Sequence, residues 1–256
     1  MTAITPTMTV GEIVARYPAV ATTLEGFGID YCCGGRKTLA EAVEHKCLDL
    51  REVVSGLEAT ASVQTGDERD WRTASLGDLC DHIEATHHQF VRRELPALAA
   101  RLDRVVKAHG ERRPEMHEVA KVFRGFAAEL TAHMHKEEQI LFPAIRAVES
   151  GQTIRGIGAP IAVMEQEHDD AGRALERMRE LTGGFAVPMD ACGTYRALLE
   201  GLRALESDMH RHVHKENNIL FPRVRERIRR DEGVAPSSSP HDPTPTACAS
   251  CGGLQR

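Results

Sequence analysis

Aromatic side chains are scarce in this sequence. One Trp, three Tyr and seven Phe make up 4% of 256 residues, too little bulk for the facing sheets of an all-β sandwich. Long apolar runs are missing as well, and no stretch approaches the ~18 residues that span a bilayer. The opening MTAITPTMTV has neither the basic start nor the apolar centre of a signal peptide. No long basic run offsets the net charge of −6, so a nucleic-acid footprint is not indicated. The cysteines, Cys32, Cys33, Cys47, Cys80, Cys192, Cys248 and Cys251, are odd in number and lack the dense spacing of a secreted disulfide scaffold. A cytoplasmic protein with no membrane or nucleic-acid partner is the expectation.

What is present is helical material and histidine. Apolar residues (41%) and charged residues (27%) mix in the manner of amphipathic helices, and thirteen histidines stand out. Residues 1–60 carry short helical patterns broken by Pro18, Gly26, Gly28 and the run YCCGG ending at Gly35. Thr38 with Glu41, and Asp49 with Glu52, have capping-box spacing and mark helix starts. Residues 61–74 lose apolar periodicity and read as a linker, with Trp71 anchoring its end. Four long patterns fill 75–230, at about Ser75–Ala108, Pro114–Glu149, Ala159–Leu181 and Asp190–Arg230. Their short connections predict an antiparallel up-down bundle, and the Pro- and Ser-rich residues 231–256 predict a disordered tail. The expected fold class is all-α: a four-helix up-down bundle with a small N-terminal helical domain.

An internal repeat carries the chemistry. HMHKEEQILFP (His133–Pro143) and HVHKENNILFP (His212–Pro222) agree at eight of eleven positions and lie 79 residues apart. Stepping back 45 residues from His133 reaches His88, and 44 from His212 reaches His168; the pairs Arg93/Arg173 and Leu95/Leu175 support that alignment. Each half therefore offers one histidine on its first helix and a His-x-x-x-Glu on its second. Positions i and i+4 share a helix face, so His133 with Glu137, and His212 with Glu216, aim at one point. A single histidine on an amphipathic helix is more often a surface or core residue than a ligand. Six donors at duplicated spacing are different, because unpaired carboxylates inside a bundle are costly. The set suits two metal ions bridged by the glutamates, with positions left for an oxo or hydroxo bridge and a small exogenous ligand. Imidazole and carboxylate without thiolate point to iron first and manganese second.

The other histidines take the opposite reading. His135 and His214 sit two positions past the ligand histidines and are expected to face solvent, while His82, His109, His117 and His210 are structural and His87 is the neighbour that competes for the register of His88. Glu129 and Asp208 match under the repeat, one turn before His133 and His212. With Glu167 they are expected to stand behind the ligands or to line an access path, ordinary interhelical ion pairs being the competing reading. Pro143 and Pro222 are expected to bend their helices near the site, and Pro96 to do something similar.

At these residues the chain resembles the iron–sulfur cluster repair di-iron (RIC) family, a hemerythrin-like group. The likeness covers residues from about 9 to 224 and rests on FGIDYCCGG with TLAEA, on the paired HxxxExxILFP segments, and on VMEQEHDDAG between them. It implies a non-haem di-iron centre whose ligands are His88, His133, Glu137, His168, His212 and Glu216, the two glutamates bridging. It also implies repair of iron–sulfur clusters damaged by nitrosative or oxidative stress. Two iron ions would serve as an iron source or as a nitric oxide site, with iron–sulfur proteins as clients and a monomer or homodimer as the working form. Simple oxygen transport is disfavoured, since oxygen-carrying hemerythrins place more histidines on one iron. A di-iron nitric oxide reductase and a nitric oxide or oxygen sensor are the alternatives, although no electron-entry motif is visible and no catalytic residue is assigned.

Cys32 and Cys33 precede Arg36, Lys37 and a helix start at Thr38. Cations and a positive helix end lower a thiol pKa, so both are candidate reactive thiols that accept iron, react with nitric oxide or meet a partner's thiol. A buried pair at a turn is the alternative. Cys248 and Cys251 form a lone C-x-x-C in the tail, and Cys47, Cys80 and Cys192 are expected to be inert.

Overall fold

Helices of seven residues persist only when packing supports them, and the N-terminal unit shows how that is achieved. In a computed structural model, which describes residues 4–62 and 69–231, this unit holds α1 (Val10–Arg16), α2 (Val20–Gly26), α3 (Leu39–His45) and α4 (Leu50–Ser62). The Thr38–Glu41 capping box forms, and another, Thr9 with Glu12, opens α1. Asp49 Oδ1 accepts the N–H groups of Arg51 and Glu52 at 2.7 and 3.1 Å and starts α4. Ile13, Leu24, Leu39, Val53 and Leu57 bury their side chains together with Tyr31.

Four rods follow. The first is α5 (Leu76–Ile83), a π-helical turn π1 (Glu84–His88) and α6 (Gln89–His109); the second is α7 (Glu115–Lys136), π2 (Glu137–Leu141) and α8 (Phe142–Glu149). The third is the unbroken α9 (Gly158–Leu181), and the fourth is α10 (Gly193–His214), π3 (Lys215–Leu220) and α11 (Phe221–Asp231). Because α6 packs on α7 while α5 packs on α8, the first two rods are antiparallel. The rods begin within three residues of the starts read from the sequence. Glu149 closes the far end, its carboxylate accepting the N–H groups of Leu76 and Gly77 at 2.6 and 2.8 Å. Trp71 stacks on His82 with centroids 4.2 Å apart, and its carbonyl accepts from Arg223 at 2.8 Å, which fixes the entry to α5.

The π turns are what periodicity could not show. Each holds one residue more per turn than an α-helix and occurs where a side chain must be re-aimed. Pro143 and Pro222 stand directly after π2 and π3, at the second position of the resumed helix. The bundle core is also split. One cluster runs from Val91, Leu98 and Phe123 to Leu202 and Met209. The other contains Leu79, Ile83, Phe142, Ile161 and Phe221. Between them, on every rod, lies the layer of predicted metal donors.

The N-terminal unit sits against the fourth rod. Asn218 Nδ2 donates to the carbonyls of Tyr31 and Cys32 at 3.1 and 2.9 Å. Glycine is required at the seam: a Cβ on Gly11 would lie 2.5 Å from Asn218 Oδ1, and one on Gly35 would lie 2.6 Å from the Tyr31 carbonyl. Arg36 and Arg225 meet on Glu165 and tie the same loop to α9. Residues 63–68 of the expected linker and 232–256 of the expected tail, with Cys248 and Cys251, lie outside the described residues. No helix among the described residues is long and apolar enough to cross a membrane.

Candidate metal centre

The six donors selected by the repeat converge. His88 ends π1, Glu137 opens π2, Glu216 lies in π3, His133 and His212 occupy the last turns of α7 and α10, and His168 is mid-way along α9. None is more than 3% exposed. Glu137 Oε2 lies 3.3 Å from His88 Nε2 and its Oε1 lies 3.3 Å from His133 Nε2. Glu216 Oε1 lies 3.1 Å from His212 Nε2, and its Oε2 3.0 Å from His168 Nε2. The glutamates thus divide their oxygens between two imidazole pairs, His88 with His212 and His133 with His168. Each pair makes, with both glutamates, a set of donors within 4.8 Å of one another.

The electrostatics of this pocket call for cations. His88 Nε2, both Glu137 oxygens and Glu216 Oε2 are buried without a hydrogen-bond partner, a state that costs ~1–3 kcal/mol per atom when uncompensated. Burial and the Glu216 charge push the Glu137 carboxyl up, but the His133 and His88 imidazoles outweigh them and hold it below the usual range. Burial opposes ionisation of Glu216 too, and His212 and His168 hold it well down. Burial opposes a charged His133, yet Glu137 and Glu216 raise it to about 9. Two carboxylates kept ionised at zero exposure need positive charge between them, and metal ions supply it with better geometry than imidazolium does. The residues present therefore fit a pair of metal ions, and the mix of imidazole and carboxylate suits iron or manganese.

Residues 81–224 match the Hemerythrin HHE cation binding domain, and residues 6–61 match a domain of unknown function, DUF542. An iron-sulfur cluster repair protein YtfE from Pectobacterium carotovorum is 40% identical over 215 residues, 84% of this chain and 95% of the relative. This chain belongs to the iron–sulfur cluster repair family of hemerythrin-like proteins. Its relatives of the same name from Enterobacter sp. and Escherichia coli are 38% and 37% identical over 214 residues, 84% of this chain and 94% of each relative.

In this repair-family chain three of the four imidazoles are oriented from behind. Nδ1 of His88 donates to Glu138 at 2.7 Å, Nδ1 of His133 to Glu167 at 2.8 Å, and Nδ1 of His168 to Asn217 Oδ1 at 2.8 Å. Each bond leaves the Nε2 lone pair facing the centre, the tautomer a metal needs. Glu138 and Asn217 are missed by sequence reasoning, although they are repeat mates at the same 79-residue spacing. The structure brings Glu167 to His133, one of the six donors. It places Asp208 elsewhere: Asp208 Oδ1 bonds His87 Nδ1 at 3.0 Å, and His87 stacks face to face on His212 with centroids 5.2 Å apart. Glu129 is exposed and lines a cavity of about 620 Å³, with Leu130, Lys136 and Glu167, whose wall includes His133 and His168.

Two expectations are corrected in this repair-family chain. His135 is exposed, but its repeat mate His214 is buried, its Nδ1 donating to the Tyr31 carbonyl at 3.3 Å. The N-terminal unit covers only the second half of the duplication, so the two positions are not equivalent. Nor is Cys32 an activated thiol. It is buried and joins the bundle core, and its thiol donates to Asp30 Oδ1 at 3.1 Å. The adjoining Cys33 thiol, burial and the Asp30 charge push it well above the usual thiol range. Arg36, expected to activate it, is turned to Glu165 instead.

Proposed function

We propose that this chain is a non-haem di-iron protein that repairs iron–sulfur clusters damaged by nitrosative or oxidative stress by supplying iron. The observation that carries the reading is the pair of buried glutamates shared between two imidazole pairs, in a chain about 40% identical to iron-sulfur cluster repair proteins over most of its length. His88 and His212 would hold one iron and His133 and His168 the other, with Glu137 and Glu216 common to both. Bound there, the ions supply releasable iron and open positions for a small ligand. The chain's own residues orient and screen: Glu138, Glu167 and Asn217 fix three imidazoles, and the two apolar clusters keep bulk water from the glutamates. Iron–sulfur proteins are the proposed clients, and the cytoplasm the proposed compartment.

A second reading rests on one observation. The cavity at His133 and His168 gives a diatomic molecule a way in from one side, which favours nitric oxide or oxygen binding at that position. Two measurements test these readings. Metal analysis with an absorption spectrum is expected to give about two irons per chain, and a single zinc would overturn the centre. Mixing the loaded protein with a client stripped of its cluster is expected to move iron stoichiometrically. Catalytic nitrous oxide formation from a reductant without iron transfer would favour a reductase over repair.

A further inference from the structure

Asp30, Cys32 and Cys33 each present a donor atom within 4.8 Å of the others. Their loop is strongly pre-formed. Asp30 Oδ1 accepts the N–H groups of Cys32 and Cys33 at 2.9 and 3.1 Å, and its Oδ2 accepts that of Gly34 at 2.8 Å. The two sulfurs are 4.0 Å apart and Cys32 Sγ is 3.1 Å from Asp30 Oδ1. Two thiolates on one tetrahedral ion at a metal–sulfur length of ~2.3 Å stand about 3.8 Å apart, so little movement is needed. The set opens onto a cavity of about 540 Å³ between the N-terminal unit and the bundle, walled on the far side by α9 and α10.

We infer that Asp30, Cys32 and Cys33 form a second, thiolate-based site for a borderline-soft divalent metal ion, with its fourth position open to the inter-unit cavity. Three protein donors and one free position are the pattern of an exchanging site, whereas a structural ion is closed by four. Binding exchanges the Cys32 proton, now donated to Asp30, and the Cys33 proton for the ion, and releases both to solvent. The donors differ in kind from the histidine and glutamate centre, which contains no sulfur. The two sites are nonetheless close in the fold. A Cβ on Gly172, one helical turn beyond His168 on α9, would lie 4.0 Å from Cys33 Sγ. On π3, Asn217 holds His168 while the next residue, Asn218, holds the Cys32 carbonyl. Use of this site as a way station for ferrous iron rests on the repair reading; its existence does not.

The test uses the full-length, iron-loaded protein carrying Cys248→Ser and Cys251→Ser, so that the tail thiols are silent, titrated with cobalt(II) alone. The expected result is one cobalt with sulfur neighbours by cobalt-edge absorption spectroscopy, and protection of Cys33 from alkylation located by peptide mass. Cys32→Ser with Cys33→Ser is expected to abolish the sulfur signal. Asp30→Asn, which keeps an oxygen for the loop N–H groups, is expected to weaken cobalt binding on the order of tenfold. Circular dichroism and retained iron confirm that the variants are folded. No sulfur-bound cobalt in the parent, or a sulfur signal that survives the double variant, overturns the proposal. Sulfur-bound cobalt in a protein whose iron never reaches a client would sink the repair reading alone.

Discussion

Asn218→Ala should release the cysteine loop while leaving the metal donors in place. The amide donates to two carbonyls, those of Tyr31 and Cys32, at 3.1 and 2.9 Å. His214 still reaches the Tyr31 carbonyl at 3.3 Å, so that loss is worth ~0.5–1.5 kcal/mol, the ordinary net value of one bond. The Cys32 carbonyl has no such substitute, and an orphaned carbonyl costs ~1–3 kcal/mol. About 1.5–4.5 kcal/mol in total corresponds to an open population raised about 10-fold at the least and about 1,000-fold at the most, at tenfold per 1.4 kcal/mol. Cys32 reports that population directly, because it is 8% exposed when docked and must open to react. The assay is the alkylation rate of Cys32 by peptide mass, with Gln139→Ala, the exposed repeat mate, as the control. A rise of less than about threefold in the Asn218 variant, or an equal rise in the Gln139 variant, would refute the assignment of the seam to this amide.

Further outcomes follow from the same geometry. Glu137→Gln or Glu216→Gln is expected to empty both metal positions, since each carboxylate serves both, whereas His135→Ala should leave the metal content unchanged. Glu167→Ala removes the acceptor behind His133 and is expected to weaken metal binding about 10- to 100-fold, read by competition with a chelator. Gly35→Ala drives a methyl against the Tyr31 carbonyl, which is backbone and cannot swing aside, so urea denaturation should show a loss of ~1–3 kcal/mol. Stripping the metal should lower the thermal midpoint. One site at a thousandfold excess over its dissociation constant contributes ~4 kcal/mol, and at ~2–4 °C per kcal/mol for a chain of this size the drop is about 8–16 °C.

The four rods and the six donors were legible because duplication wrote them twice. A lone His88 says nothing, but His88, His168 and two His-x-x-x-Glu pairs at constant spacing constrain one another. The residues behind them were harder to see. Glu138 follows Glu137 in an acidic pair and reads as a solvated charge, and its mate Asn217 is a different residue type, so neither announced a common role. The π turns were invisible for a physical reason: hydrophobic periodicity reports a face, and one extra residue per turn shifts that face without erasing it. His214 went wrong because symmetry within the bundle said nothing about the N-terminal unit, which breaks it. Cys32 went wrong because the cations downstream were counted while Asp30, two residues upstream, was not.

The divided core bears on how the bundle comes apart. Continuous apolar contact is what normally makes helices melt as one body, and here a plane of imidazoles and carboxylates interrupts it half-way. Three of the four rods cross that plane through a π turn, and only α9 crosses it unbroken. Ions seated in the plane would act as a rivet between two half-cores, each with its own apolar cluster. The proposed release of iron would gain from this division. Each apolar cluster would hold its own ends of the rods while the centre empties and refills, so that the exchange need not pass through the unfolded chain.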